Sequence, residues 1–167
     1  NHIGPYRLLK LIRAGKATQV WEAMNSTDHV RVAIKALQND HRDDRGEIAL
    51  LRHEHTVGRN FEHPNVNRIY EFNIDRGLPY VVMDFCPGLN LKQSLRQCPE
   101  VISAHVDSVV EQTGAGLAHM HDRGWVHRDV KPDNFILSPE GECKLIDFAI
   151  AQKVKSGLGK LIPGKSK

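Results

Sequence analysis

One stretch of the chain reads Val126-His127-Arg128-Asp129-Val130-Lys131-Pro132-Asp133-Asn134, and a little further on comes Asp147-Phe148. A carboxylate, an ammonium and a carboxamide at fixed offsets, followed by a second carboxylate, together suit one chemistry: transfer of a phosphoryl group from a metal-bound nucleotide to a hydroxyl. In that chemistry Asp129 accepts the hydroxyl proton and Lys131 offsets charge on the phosphoryl oxygens. Asn134 and Asp147 supply the hard oxygen ligands that Mg²⁺ prefers. Each residue alone is an ordinary solvated loop residue, so the inference rests on the combination.

Such a loop needs elements that bring its two ends together. Phe135–Leu137 and residues 143–146 flank Pro139-Glu140-Gly141 as a predicted hairpin, which carries Asn134 and Asp147 toward one point. Ahead of the loop, residues 103–122 predict a long helix with Ser103 as N-cap, Val106, Val109, Val110, Thr113, Leu117 and Met120 on one face, and Gly124 closing it. Nearer the start, three β-rich runs at residues 6–12, 18–23 and 30–37 are separated by Gly15-Lys16 and by Asn25-Ser26-Thr27-Asp28, the spacing of an antiparallel meander. Residues 46–59 predict a helix with Ile48, Leu50, Leu51 and Val57 on its apolar face. Residues 67–74 and 78–85 predict two further strands across Asp75-Arg76-Gly77, and Leu91–Gln97 a short helix after Pro87-Gly88.

The loop resembles the catalytic loop of eukaryotic-type (Hanks-type) serine/threonine protein kinases, H-R-D-x-K-P-x-N, at every fixed position. Val32-Ala33-Ile34-Lys35 matches the family's strand whose Lys pairs the nucleotide phosphates. Its implied partner on the following helix is Glu54, with Glu47 and Glu62 as weaker alternatives. The resemblance implies an α+β, two-lobed, protein-kinase-like fold: a small lobe at residues 1–85, with a five-stranded antiparallel sheet and one helix, then the hinge and a partial large lobe at 86–167, ending within the activation segment. It implies ATP and Mg²⁺ as cofactors and Ser or Thr hydroxyls of a protein substrate as acceptor. The catalytic set is then Asp129, Lys131, Asn134, Lys35 and Glu54, and the metal ligands Asn134 and Asp147. The nucleotide is enclosed by Ile12, Gly15, Val20, Ala33, Lys35, Met83, Asp84, Cys86, Ile136 and Asp147, with the backbone of Asp84-Phe85-Cys86 bonding the adenine edge. Arg128 is implied to be neutralised by a phosphorylated activation segment, for which Ser156 and Ser166 are available.

Three departures stand beside these matches. The glycine-rich phosphate loop reads Arg13-Ala14-Gly15-Lys16-Ala17-Thr18-Gln19-Val20, keeping only the middle Gly. That predicts a stiffer loop and a looser backbone cradle, with Arg13 and Lys16 offering direct charge instead. Gly58 stands where the family places a large apolar side chain in the column that links the lobes, which predicts a gap unless neighbours fill it. Ala149 replaces the Gly of Asp-Phe-Gly, penalising left-handed backbone there. A second reading follows from these departures: a pseudokinase that serves as a nucleotide-binding or scaffold module.

Composition bounds the rest. The chain has 167 residues, 40% hydrophobic and 26% charged, which suits one globular domain rather than a disordered segment. A formal charge of +3, scattered along the sequence, supports neither a nucleic-acid nor a membrane-surface partner. Cys86, Cys98 and Cys143 form no CxxC pair and no even set, as expected of reduced thiols in a cytoplasmic setting. No apolar run is long enough for a membrane helix, and residues 1–10 lack the pattern of a signal peptide. His119 and His121 lie two apart on a helix and so face different ways, which argues against a metal site with His127.

Overall fold

A computed structural model describes residues 2–154. In chain order its elements are β1 (His2–Ile3), β2 (Tyr6–Ala14), β3 (Thr18–Asn25), β4 (Arg31–Leu37), α1 (Arg45–Gly58), β5 (Ile69–Asp75), β6 (Leu78–Asp84), β7 (Leu89–Asn90), α2 (Leu91–Gln97), α3 (Pro99–Asp122), β8 (Trp125–Val126), a 3₁₀ turn (Pro132–Asn134), β9 (Phe135–Leu137), β10 (Cys143–Leu145) and β11 (Gln152–Lys153). The α+β reading holds, with one strand more than expected. The main sheet has six strands in the order β1-β2-β3-β4-β6-β5, antiparallel throughout. The sixth, β1, is two residues joined to β2 by Gly4 at φ 53°, and its Ile3 is buried.

Strand β4 lies between β3 and β6 and is buried on both faces, which is why it reads Val-Ala-Ile without polar alternation. Val32, Ile34 and Ala36 join Tyr6, Tyr80 and Val82 in one cluster. Ala33 and Leu37 face the main core with Leu51, Val57, Phe61, Phe135, Leu145 and Phe148. Lys35 shares that second face, so the strand delivers its ammonium between the sheet and α1. Leu50, expected on the apolar face of α1, is instead exposed.

Helix α1 starts at Asp44, whose carboxylate accepts from the Gly46 and Glu47 N–H groups. At its other end Gly58 leaves no gap. A Cβ built there would lie 2.5 Å from Ile69 Cδ1 and 2.6 Å from its Cγ1, so the Ile69 side chain occupies the space that a larger residue would claim.

Helix α3 begins four residues before the expected Ser103. Pro99 stands at its first position, where a missing N–H costs nothing, and the Ser103 hydroxyl donates back to the Pro99 carbonyl. Of its apolar residues Val109 and Met120 are buried, whereas Val106 and Val110 are exposed. Helix α2 carries a capping box in which the Asn90 and Gln93 side chains bond each other's backbone.

The loop between α1 and β5 is stitched to β10. Asn67 N–H donates to Leu145 C=O at 2.8 Å, Leu145 N–H to Asn65 C=O at 2.9 Å, and Asn65 Nδ2 to Cys143 C=O at 3.0 Å. Gly116 lets α3 press against the same loop: a Cβ there would meet the Asn65 carbonyl oxygen at 2.7 Å. No described helix is long and apolar enough to cross a membrane. Ser156 and Ser166 lie outside the described residues.

Candidate active site

The centre of the site is a three-residue ion cluster. Lys35 Nζ donates to Glu54 Oε2 at 2.6 Å and approaches Asp147 Oδ1 at 3.5 Å. Glu54 is 2% exposed, so α1 brings its carboxylate fully out of water to meet the strand. Burial pushes Glu54 up, with Lys35 pulling it back, while burial of Lys35 is outweighed by its two carboxylate partners, which hold it above the ordinary lysine range. The ammonium therefore stays charged. Asp147 is pushed up by burial, but Lys35, the Ala149 N–H and the field of Arg13 more than reverse this and hold it below the usual carboxylate range.

The second cluster lies on the loop after β8. Asp129 Oδ2 accepts from Lys131 Nζ at 2.7 Å and from Asn134 Nδ2 at 2.9 Å, and the same Nδ2 reaches the Asp129 carbonyl at 2.8 Å. The Lys131 hydrogen bond, reinforced by Asn134, holds Asp129 below the ordinary range, so it is ionised and able to accept a proton at neutral pH. Both Asn134 Nδ2 hydrogens are committed to Asp129, which leaves Oδ1 as a free oxygen. Ile146 N–H donates to Asn134 C=O, so the two ends of the β9–β10 hairpin are held side by side.

Beneath both clusters, His127 Nδ1 accepts from Asp129 N–H at 3.2 Å and Nε2 faces the Ile146 carbonyl at 3.1 Å. A carbonyl only accepts, so Nε2 carries the proton. Phe148 packs edge-on against His127 at 5.9 Å and against Phe61 at 5.4 Å. Two residues here take left-handed backbone, Arg128 at φ 69° and Asp147 at φ 66°. Ala149 does not, so the penalty expected from losing glycine at that position is not incurred in this conformation. His53 ties α1 to this segment: Nε2 lies 2.8 Å from the Ala151 carbonyl, and its ring meets Trp125 edge-on.

Two recesses open onto these groups. The inner one, about 100 Å³, is lined by Arg13, Gly15, Thr18, Val20, Lys35, Glu54, Asn67, Met83, Asp84, Cys86, Ile136, Ile146 and Asp147. The outer one, about 410 Å³, shares Arg13, Val20, Cys86, Ile136 and Ile146 and adds Ile12, Phe85 and Gly88. Every residue expected around a nucleotide thus lines one or both, except Ala33, which packs just beneath in the core. Asp129, Lys131 and Asn134 stand outside these linings. Asn67 and Gln38 were not anticipated. Asn67 Oδ1 accepts from the Cys86 thiol, and Gln38 Nε2 donates to the Gly15 and Lys16 carbonyls at 2.6 and 3.2 Å, pinning the loop between β2 and β3. Neither carries a periodic or motif signal. The end of β6 is braced from two sides, since the Asp84 carboxylate accepts from the Tyr70 hydroxyl and from Lys144. His119 lies against Phe61 and His63, and among the described residues no group of three or more His, Cys, Asp or Glu could hold a metal ion.

A curled antiparallel sheet with one helix, followed by a helical part that carries a paired Asp-Lys-Asn loop, defines a protein kinase. Residues 6–161 match the protein kinase domain, and the chain belongs to that family. It is similar to serine/threonine-protein kinase PknA of Mycobacterium tuberculosis, with 35% identity over 156 residues covering 90% of this chain and 36% of that protein. Serine/threonine-protein kinase PrkC of Bacillus subtilis is 31% identical over 153 residues, covering 92% of this chain and 24% of that protein. PknD of M. tuberculosis is 30% identical over 152 residues, covering 91% and 23%. The chain thus spans roughly a quarter to a third of the length of these relatives.

Proposed function

We propose that the protein to which this chain belongs transfers a phosphoryl group from ATP to Ser or Thr hydroxyls of protein substrates in the cytoplasm, with residues 1–85 as small lobe and 86–167 as hinge and partial large lobe. The observation that carries this is the coexistence of two preformed clusters, Lys35–Glu54–Asp147 and Asp129–Lys131–Asn134, held in register by the β9–β10 hairpin. Relatives named as serine/threonine-protein kinases support the acceptor class.

The donor chemistry fits Mg²⁺. Asn134 offers its uncommitted Oδ1 and Asp147 a carboxylate oxygen, and two protein ligands suffice for an ion that keeps waters and takes the rest of its shell from nucleotide phosphates. Bound there, Mg²⁺ would neutralise charge on the phosphates as they transfer. Lys35, oriented by Glu54, bonds phosphate oxygens. Asp129, already ionised, takes the acceptor hydroxyl's proton, and Lys131 balances the charge at the reacting oxygens. The Asp84-Phe85-Cys86 backbone holds the adenine edge, with Met83 at the back of the pocket.

In the full-length protein, Asp129→Asn should retain nucleotide affinity and lower phosphoryl transfer by about 10²- to 10⁴-fold, the usual size of a lost general base. Unchanged turnover removes Asp129 from that role. Nucleotide binding with no transfer by the unsubstituted protein would point instead to a nucleotide-binding module.

A further inference from the structure

The loop that closes the inner recess keeps one glycine of the phosphate-loop pattern, and the backbone donor of that glycine is already engaged. Gly15 N–H is bonded to Thr18 C=O at 2.8 Å, and Gln38 holds the turn from behind through the Gly15 and Lys16 carbonyls. The two charges that could substitute are placed differently. Lys16 lines neither recess, whereas Arg13 lines both. The strand register explains why: Arg13 pairs across the ladder with Val20 after a shift between Leu11 and Arg13, and cross-strand partners share a face. Val20 forms the ceiling of the cleft, so Arg13 projects there too.

The cations of the inner recess also differ in what they already hold. Lys35 is paired with Glu54 and Asp147, while Arg13 has no ion pair and no side-chain hydrogen bond among the described residues. An unpaired guanidinium at the rim of a phosphate-sized recess is an anion receptor, with planar N–H groups matched to two phosphate oxygens at once. We propose that Arg13 is the phosphate clamp of this site, its side chain taking the place of the backbone N–H cradle and selecting nucleotides by their terminal phosphates. The assignment rests on the nucleotide reading above and extends it to a residue that the glycine-loop pattern would leave empty.

Calorimetry on the full-length protein with ATP, ADP and adenosine tests it. Arg13→Ala should weaken ATP binding by about 10- to 100-fold, the range of a charge-assisted hydrogen bond. ADP should weaken less, adenosine should be unchanged, and the salt dependence of ATP binding should flatten. Arg13→Lys should recover only part of the loss, since a point charge cannot bind two oxygens in one plane. Arg13 is exposed, so an unaltered melting temperature is expected in both variants. Equal losses for adenosine and ATP, or no loss for either, overturn the clamp. If the unsubstituted protein binds neither ATP nor adenosine, the nucleotide reading itself falls and takes the clamp with it.

Discussion

Gly58→Ala is a sharp test of how α1 is seated. On an exposed helix the change would add up to about 1 kcal/mol of stability through helix propensity. Here the new methyl would lie 2.5, 2.6 and 3.1 Å from Cδ1, Cγ1 and Cβ of Ile69. The first contact could be relieved by a rotamer change. The last cannot, because Ile69 pairs with Met83 in the sheet and is 3% exposed, so its Cβ moves only with the strand. Overpacking a core in this way costs about 1–3 kcal/mol, and Gly58 is the final residue of α1, where the propensity gain is smallest. The expected net is a loss of roughly 1–2 kcal/mol, read as a lower denaturation midpoint with unchanged slope. The same push displaces the helix that carries Glu54, so phosphoryl transfer should fall further than stability alone explains. Ile69→Ala by itself should cost about 2–5 kcal/mol through the cavity it opens. Because the two side chains compete for one space, the double variant should be less destabilised than the sum, with a coupling of about 0.5–3 kcal/mol. If Gly58→Ala stabilises the protein, or if the two effects add, Ile69 does not fill the position as described.

Two further outcomes are expected. Gly88→Ala places a Cβ 2.2 Å from the Leu137 carbonyl oxygen at φ 128°, where neither backbone can yield, so it should cost roughly 2–6 kcal/mol from strain and overpacking together, measured by urea denaturation. Burial holds the Cys86 thiol up at about 11, so its alkylation should be slow at pH 8 and rise about tenfold per pH unit until pH approaches that value. Because Cys86 lines both recesses and Cys143 neither, ATP should protect only Cys86, a difference readable by mass spectrometry.

Chemistry was more legible than packing. The Asp129–Asn134 loop stood out because phosphoryl transfer demands particular residue types at particular spacings, whereas Lys35 and Glu54 were implied only by the resemblance, and the structure brings that pair to 2.6 Å. The start of α3 was misread for a physical reason: Ser103 is a good N-cap type, but Pro99 is preorganised for the first turn and prevails. Strand β1 is too short to show a period. The filling of the Gly58 position by Ile69 depends on a contact between a helix end and a strand start, which no pattern along the chain records. Gln38 is equally silent in sequence, since one amide at a strand end has many uses.

The stitching of the α1–β5 loop to β10 has a consequence for how the chain is made. Asn65 and Cys143 are 78 residues apart. At about 5–20 residues per second, a ribosome takes roughly 4–16 s to travel from one to the other. Once β6 ends at Asp84 the nascent sheet and α1 are complete, yet until Cys143 and Leu145 follow, the loop beneath them has no partner for its amides and the core face around Val66 has no floor. A chaperone that recognises exposed apolar backbone would find its target here, and a slow codon cluster between the two residues would lengthen the exposure.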